Sequence, residues 1–297
     1  MFYLFLGILI FTIFLYLKSS FLKKLSFPIL RIYLFLHYFF LMTGGYLISI
    51  FLKGYKIENF FYFLNVSLSL FLLFQSALIL NDYFDKEGDK YIRNTNPFFY
   101  EYSKKEVIFY FLFFFFSSLF LSTFSLRIFL IFLFSHILHI IYSVPPIRLK
   151  KYFPLNLLIL GIAALFSFMM GFGINLSYKN IPLKIYLLIF LALTPAISFR
   201  DLLDIEGDKI LNVKTIPTIF GEEKGKIYSS YLILYSYLIT PLILKFLLLY
   251  IFSIPLGILS FLEVRKKNMN QIKIFNYYFL FLFSIIIFLS MHPEIIF

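Results

Sequence analysis

The sequence predicts an all-α, polytopic transmembrane helical bundle, and three observations carry that prediction. Hydrophobic residues make up 61% of the 297 positions and charged residues 14%, with a mean hydropathy of +0.91. The surface of a water-soluble domain of this size does not tolerate such an excess. Apolar stretches long enough to cross about 30 Å of hydrocarbon as helices recur along the chain, whereas a membrane barrel shows short alternating segments. Lys and Arg collect in the short connections between those stretches, as membrane topology requires. The net charge of +12 therefore reads as topology in a lipid bilayer, and no nucleic-acid partner is expected. The absence of Cys excludes disulfides, thiolate metal sites and Cys nucleophiles.

Ten apolar segments are predicted, at 1–17, 29–52, 58–82, 105–123, 126–142, 153–175, 183–203, 226–244, 245–262 and 273–291. The first lacks a charged leader and a small-x-small cleavage signal, so it is expected to be a retained span. Gly44-Gly45 in the second allows either a close helix contact or a break. Tyr152 to Pro154 and Ile181-Pro182 mark helix starts, and Pro195 is expected to kink the seventh segment near its polar end. With the residues at segment ends counted with the connection they adjoin, alternate connections hold 21 of the 27 Lys and Arg residues on one side and 6 on the other. The positive-inside rule makes the richer side cytoplasmic.

Two acidic runs stand out on that cytoplasmic side. Asp82-Tyr-Phe-Asp85-Lys-Glu87-Gly-Asp89 and Asp201-Leu-Leu-Asp204-Ile-Glu206-Gly-Asp208 share the pattern Asp-x-x-Asp-x-Glu-Gly-Asp and hold 8 of the 15 carboxylates. An even number of segments separates them, which suggests a parallel internal repeat whose halves each bring one acidic helix end to the mouth of a cavity. If each run continues the preceding helix, its three Asp residues fall within about 60° on one face. Glu87 and Glu206 point elsewhere. Carboxylates are costly at membrane depth and are usually functional or interfacial. Mg²⁺ is the natural compensating ion, because it takes hard oxygen ligands and is typically held by one or two carboxylates plus substrate phosphate oxygens. Two facing clusters would bind a diphosphate through bridging Mg²⁺; the bland alternative is a pair of solvated acidic loops.

Three further features flank the runs. Asn81 precedes the first and can offer an amide oxygen to a metal or a donor to phosphate. Arg200 precedes the second and either neutralises the cluster or contacts the diphosphate directly. Between them, Tyr142-Ser-Val-Pro145-Pro146-Ile-Arg148-Leu-Lys150-Lys151 ends the fifth segment with a stiff Pro pair, so that Arg148 and Lys150 leave in a restricted direction and can grip phosphate oxygens. By itself that stretch reads better as an ordinary basic loop. His136 and His139, at i and i+3, are expected to pack or hydrogen bond, since no carboxylate accompanies them in their segment. Glu222-Glu223 with Lys224 reads as a solvated loop.

Taken in order, Asn81-Asp82-x-x-Asp85-x-x-x-Asp89, Tyr142-Ser-x-Pro-Pro-x-Arg148-Leu-Lys150, and Asp201-x-x-Asp204-x-Glu-Gly-Asp208 followed by Lys214-Thr-Ile-Pro217 and Gly221 resemble the UbiA-type intramembrane prenyltransferase family. The resemblance spans about residues 29–291. It implies nine transmembrane helices around a central cavity and Mg²⁺ held by Asp82, Asp85, Asp89, Asp201, Asp204 and Asp208. Asp82, Asp85, Asp201 and Asp204 are the implied catalytic core, and Asn81, Tyr142, Arg148, Lys150 and Arg200 the expected diphosphate contacts. A polyprenyl diphosphate would donate its chain to an aromatic or other lipophilic acceptor of the quinone-precursor, chlorophyll or geranylgeranylglyceryl phosphate type, at a site open to the cytoplasm of the cell membrane. Residues 29–297 then form the prenyltransferase domain, with 1–28 an extra transmembrane segment and basic linker. The chain departs from the family pattern at 93–101, where Asn96 replaces an Arg and Glu101 a Gly. A cation-coupled transporter and a noncatalytic lipid-binding relative are the rival readings; the transporter predicts carboxylates at the bilayer midplane.

Overall fold

The computed structural model of the chain describes residues 1–26, 28–54, 59–92, 102–292 and 295, with side chains except at 90–92 and 290, and every regular element within them is helical. Each predicted apolar segment contains a helix. Among the described residues eight helical stretches are long and apolar enough to cross a membrane, so the chain is an integral, multi-pass membrane protein. The earliest part is different: α1 (Phe2–Lys18) bends by 100° into the short α2 (Ser20–Ser26). In α2 the residues Phe21, Leu22 and Leu25 are fully buried while Lys23 and Lys24 face outward. That apolar stripe packs on Leu68, Leu72 and Ile79 of α4 (Phe60–Ile92) and on Phe114 of α5 (Lys104–Leu121).

Packing between distant helices is set by small residues, because lipid supplies no hydrophobic drive to press helices together. α3 (Ile29–Leu52) is unbroken through Gly44-Gly45 and crosses α7 (Leu155–Phe172) at very close range. A Cβ on Gly45 would stand 2.1 Å from the Phe168 carbonyl oxygen, and one on Gly171 would stand 1.8 Å from that of Met42. The Gly pair thus serves contact and not a break.

The seventh predicted segment winds irregularly. α8 (Leu183–Leu187) passes into a π-helical stretch, Leu188–Leu193, then into α9 (Thr194–Ala196) and a 3₁₀ stretch, Ile197–Leu203. Pro195 lacks the N–H that an α-helix requires at that position, and the Thr194 hydroxyl donates to the Ile189 carbonyl at 2.8 Å. The expectation that the second acidic run continues an α-helix is therefore corrected. Asp201 lies in the 3₁₀ stretch, Asp204 sits at a break with φ −106°, and α10 (Ile205–Ile210) begins after it. The first run does lie within one α-helix, α4. A second correction concerns Glu222 and Glu223, which form the first turn of α12 (Glu222–Leu244) and not a loop, with Glu222 Oε1 2.7 Å from Lys226 Nζ. Negative side chains favour that end of a helix.

Candidate active site

α4 delivers the first run, and the 3₁₀ stretch Ile197–Leu203 together with α10 delivers the second, and the glycines within the two runs pack the elements together. A Cβ on Gly88 would stand 2.5 Å from Leu211 Cδ1 and 3.1 Å from the Gly207 carbonyl oxygen. The shared Glu-Gly-Asp pattern thus has a packing meaning as well as a chemical one. Beside this contact lies a cavity of about 290 Å³ whose walls include Asp82, Asp85, Asp89, Asp201, Asp204 and Asp208. Asn81, Tyr142, Lys150 and Arg200 line it too, so the expected residues from three distant stretches meet at one site. Leu34, Phe74, Leu78, Leu160 and Phe275 make part of its wall apolar.

Buried carboxylates need cations, and those of the first run have them. Asp82, 2% exposed, has Oδ2 2.7 Å from Nη1 of Arg31 on α3. The same nitrogen donates to the Leu25 carbonyl at 2.5 Å, which ties α2 to the site. Asp85 is held from both sides: Arg148 Nη2 donates to Oδ1 at 2.7 Å and Lys150 Nζ donates to Oδ2. Arg148 has a left-handed backbone, φ +40°, just after the Pro pair, a conformation uncommon for a side-chain-bearing residue. It joins the site through Asp85 and the Phe84 carbonyl, 3.1 Å away.

The second run is more open, with Asp201, Asp204 and Asp208 all half-buried. The Asp208 carboxyl is pushed up to about 8 by burial and then by the charge on Asp201, with Lys150 pulling the other way. Behind the run, the Lys214 N–H donates to the Lys151 carbonyl at 3.0 Å, and the Thr218 hydroxyl accepts from the Thr215 N–H at 2.7 Å. Lys-Thr-Ile-Pro thus fastens the second run to the basic connection and starts α11 (Ile216–Phe220).

Glu87 and Glu206 point away from the cavity, as expected; both are exposed, and Glu206 pairs with Lys209 at 3.1 Å. His136 on α6 (Leu126–Ser143) packs at 4.3 Å from Phe115 and hydrogen bonds Ser118 at 3.1 Å. His139 hydrogen bonds as well, its Nδ1 2.8 Å from the Ser135 carbonyl oxygen, and it also lines the cavity. The departure from the family pattern at 93–101 lies outside the described residues. Arg31, Tyr38 and Gln271 were not singled out in the sequence but line the site. For Arg31 a signal existed, a guanidinium inside a predicted span, which is by default a functional residue in search of a partner. Gln271, which approaches the Arg200 carbonyl at 3.4 Å, carried no such mark.

Among the described residues no three carboxylates or imidazoles converge tightly enough to hold an ion by themselves. The donor set nevertheless fits a hard divalent cation that shares its shell with phosphate and water. Six Asp residues border one cavity, and burial with crowding leaves Asp208 proton-prone, a potential that a cation would relieve.

A model of the UbiA prenyltransferase family matches residues 42–285. The chain belongs to the UbiA prenyltransferase family. It is a multi-pass membrane prenyltransferase, and the fold agrees. A UbiA homolog from Archaeoglobus fulgidus bound to DMAPP and Mg²⁺ is 20% identical, covering 94% of this chain and 99% of its own, with a TM-score of 0.65. The same homolog bound to GPP and Mg²⁺ gives 19% identity, 93% and 99% coverage and a TM-score of 0.64. A digeranylgeranylglyceryl phosphate synthase in membranes is 21% identical over 86% of this chain and 93% of that one, with a TM-score of 0.56. No curated protein matches this UbiA-family chain in sequence.

Proposed function

We propose that this UbiA-family protein is an Mg²⁺-dependent enzyme that moves a polyprenyl chain from its diphosphate to a lipophilic or aromatic acceptor, at a site opening toward the cytoplasm. The observation that carries the proposal is the meeting of six Asp residues with Arg31, Lys150 and Arg200 on a cavity that also has apolar walls. A diphosphate with an isoprenoid tail has that same polarity. Mg²⁺ and DMAPP or GPP are the ligands of the archaeal homolog, and the donor set here suits them.

In this assignment Asp82, Asp85 and Asp89 face Asp201, Asp204 and Asp208 as the two halves of a metal clamp. When bound, Mg²⁺ neutralises charge on the diphosphate and so eases its departure. Arg148 and Lys150 already stand at Asp85, where their N–H groups can donate to diphosphate oxygens. Tyr142, Asn81 and Arg200 add donors on the remaining walls, and preorganised donors of this kind stabilise the departing charge without rearranging. Phe74, Leu78 and Phe275 exclude water from the allylic carbon, and aromatic faces can stabilise positive charge there. Residues 29–297 carry this chemistry, with 1–28 an added segment that packs beside it. The cytoplasmic placement rests on the asymmetry of Lys and Arg between the two sets of connections.

Purified protein given radiolabelled geranylgeranyl diphosphate and a panel of phenolic and glycerol-ether acceptors tests the proposal. Mg²⁺-dependent release of diphosphate with a prenylated product is expected. Asp82→Ala and Asp204→Ala should each lower turnover by about 100-fold or more. Unchanged turnover in both variants would remove the Asp clamp, and cation flux without diphosphate release would favour a transporter.

A further inference from the structure

His139 stands on the cavity wall three residues before Tyr142, on the same face of α6 and about 4.5 Å further along the helix from the basic connection. Its Nδ1 lies 2.8 Å from the Ser135 backbone carbonyl oxygen. A carbonyl oxygen can only accept, so Nδ1 must carry the hydrogen. In the neutral imidazole the lone pair then belongs to Nε2, which has no hydrogen-bond partner among the described residues. The six Asp residues that line the cavity are assigned above to the metal clamp, with Asp82 held by Arg31 and Asp85 by Arg148 and Lys150 besides. His136, one turn back, is taken up by Ser118 and Phe115.

We propose that His139 is the catalytic base for the acceptor half of the reaction, taking the proton that a hydroxyl-bearing acceptor loses as it is prenylated. The inference rests on the transferase reading above and adds a residue to it. The electron pair of the donor's allylic C–O bond leaves with the diphosphate. An alcohol acceptor forms the new C–O bond through its oxygen, and its hydroxyl proton passes to His139 Nε2. A phenol forms a C–C bond through a ring carbon as its hydroxyl proton follows the same route, and the dienone so formed regains its aromatic ring when the C–H bond at that carbon breaks, its proton going to water while the oxygen takes one back from water. The resulting imidazolium keeps its Nδ1–H on the Ser135 carbonyl and later gives the Nε2 proton to water, so the cycle closes with no further reactant. Because the backbone fixes the tautomer, no other side chain is needed to orient the ring.

The test measures how released prenyl groups partition between acceptor and water in the full chain, with Mg²⁺, geranylgeranyl diphosphate and the acceptor found for the wild type. His139→Gln is expected to lower the ratio of acceptor product to prenyl alcohol by about 100-fold, the low end for loss of a general base. This ratio counts only molecules that turn over, so partial misfolding does not alter it. Imidazole added to His139→Ala should restore the ratio at least about tenfold, a response that a merely structural histidine does not give. An unchanged ratio in His139→Gln, or no imidazole rescue of His139→Ala, would overturn the assignment. Wild-type protein that releases no diphosphate at all would overturn the underlying transferase reading instead.

Discussion

The two acidic runs carry the same pattern, yet the molecule treats them differently. The first lies in one continuous α-helix, and its Asp82 and Asp85 are buried against Arg31, Arg148 and Lys150. The second follows a π-helical and a 3₁₀ stretch, breaks at Asp204, and leaves Asp208 titrating far above an ordinary carboxyl. The same pattern in sequence therefore becomes one wall whose Asp82 and Asp85 are paired with cations and one whose Asp208 is left proton-prone. The difference lies in what packs opposite each run, since a buried charge is stable only with a partner.

The sharpest way to break this contrast is to remove the partner of Asp82. Arg31→Met is expected to cost about 3–5 kcal/mol, the usual penalty when one member of a buried ion pair is left alone, and thermal unfolding in detergent reads it. If the variant melts like the wild type, the first run does not depend on its cations. A smaller effect is expected where the runs meet. Gly88→Ala places a methyl against Leu211 and the Gly207 carbonyl, and overpacking of this sort costs about 1–3 kcal/mol. The same measurement tests it, and an unaltered melting temperature would show that the two runs are not closely seated.

The smallest effect sharpens the contrast through protons. With its carboxyl raised from 3.8 to about 8, Asp208 binds a proton in the folded, metal-free state that the unfolded chain has lost. Its contribution to stability accordingly falls as pH rises from about 4 to 8. Mg²⁺ binding must displace that proton, so affinity should climb by up to about tenfold per pH unit, or 1.4 kcal/mol, and level off above about pH 8. Calorimetric titration in buffers of different ionisation heat counts the released proton. Asp208→Asn should abolish that component, and a variant that still releases it would place the proton on another group.

Much of this was legible in the chain. Spans announce themselves through length and hydropathy, and each predicted apolar segment holds a helix because the cost of unsatisfied backbone in lipid leaves little choice. The Asp residues and Arg200 could be nominated because carboxylates and guanidinium groups are rare in such a sequence, and Lys150 because it follows the stiff Pro pair. The form of the second run was not legible, because Pro195 marks a disturbance without saying how the helix absorbs it. Nor was the role of Glu222 and Glu223, where helix-compatible acids were read as a loop. His136 and His139 looked alike in sequence, and only their surroundings separate a packed ring from one on the cavity wall.

By itself, then, the sequence determined the all-helical membrane architecture, the basic and acidic ends of the spans and the set of oxygen donors, because these depend on local hydropathy and residue type. The tertiary structure decided which cation meets which carboxylate, how the glycines of the two runs seat against each other, and that Arg31 and His139 belong to the site. Those outcomes depend on contacts between residues far apart in the chain, such as Arg31 with Asp82 and Gly88 with Leu211, and no local pattern encodes the distance between two helices once they pack.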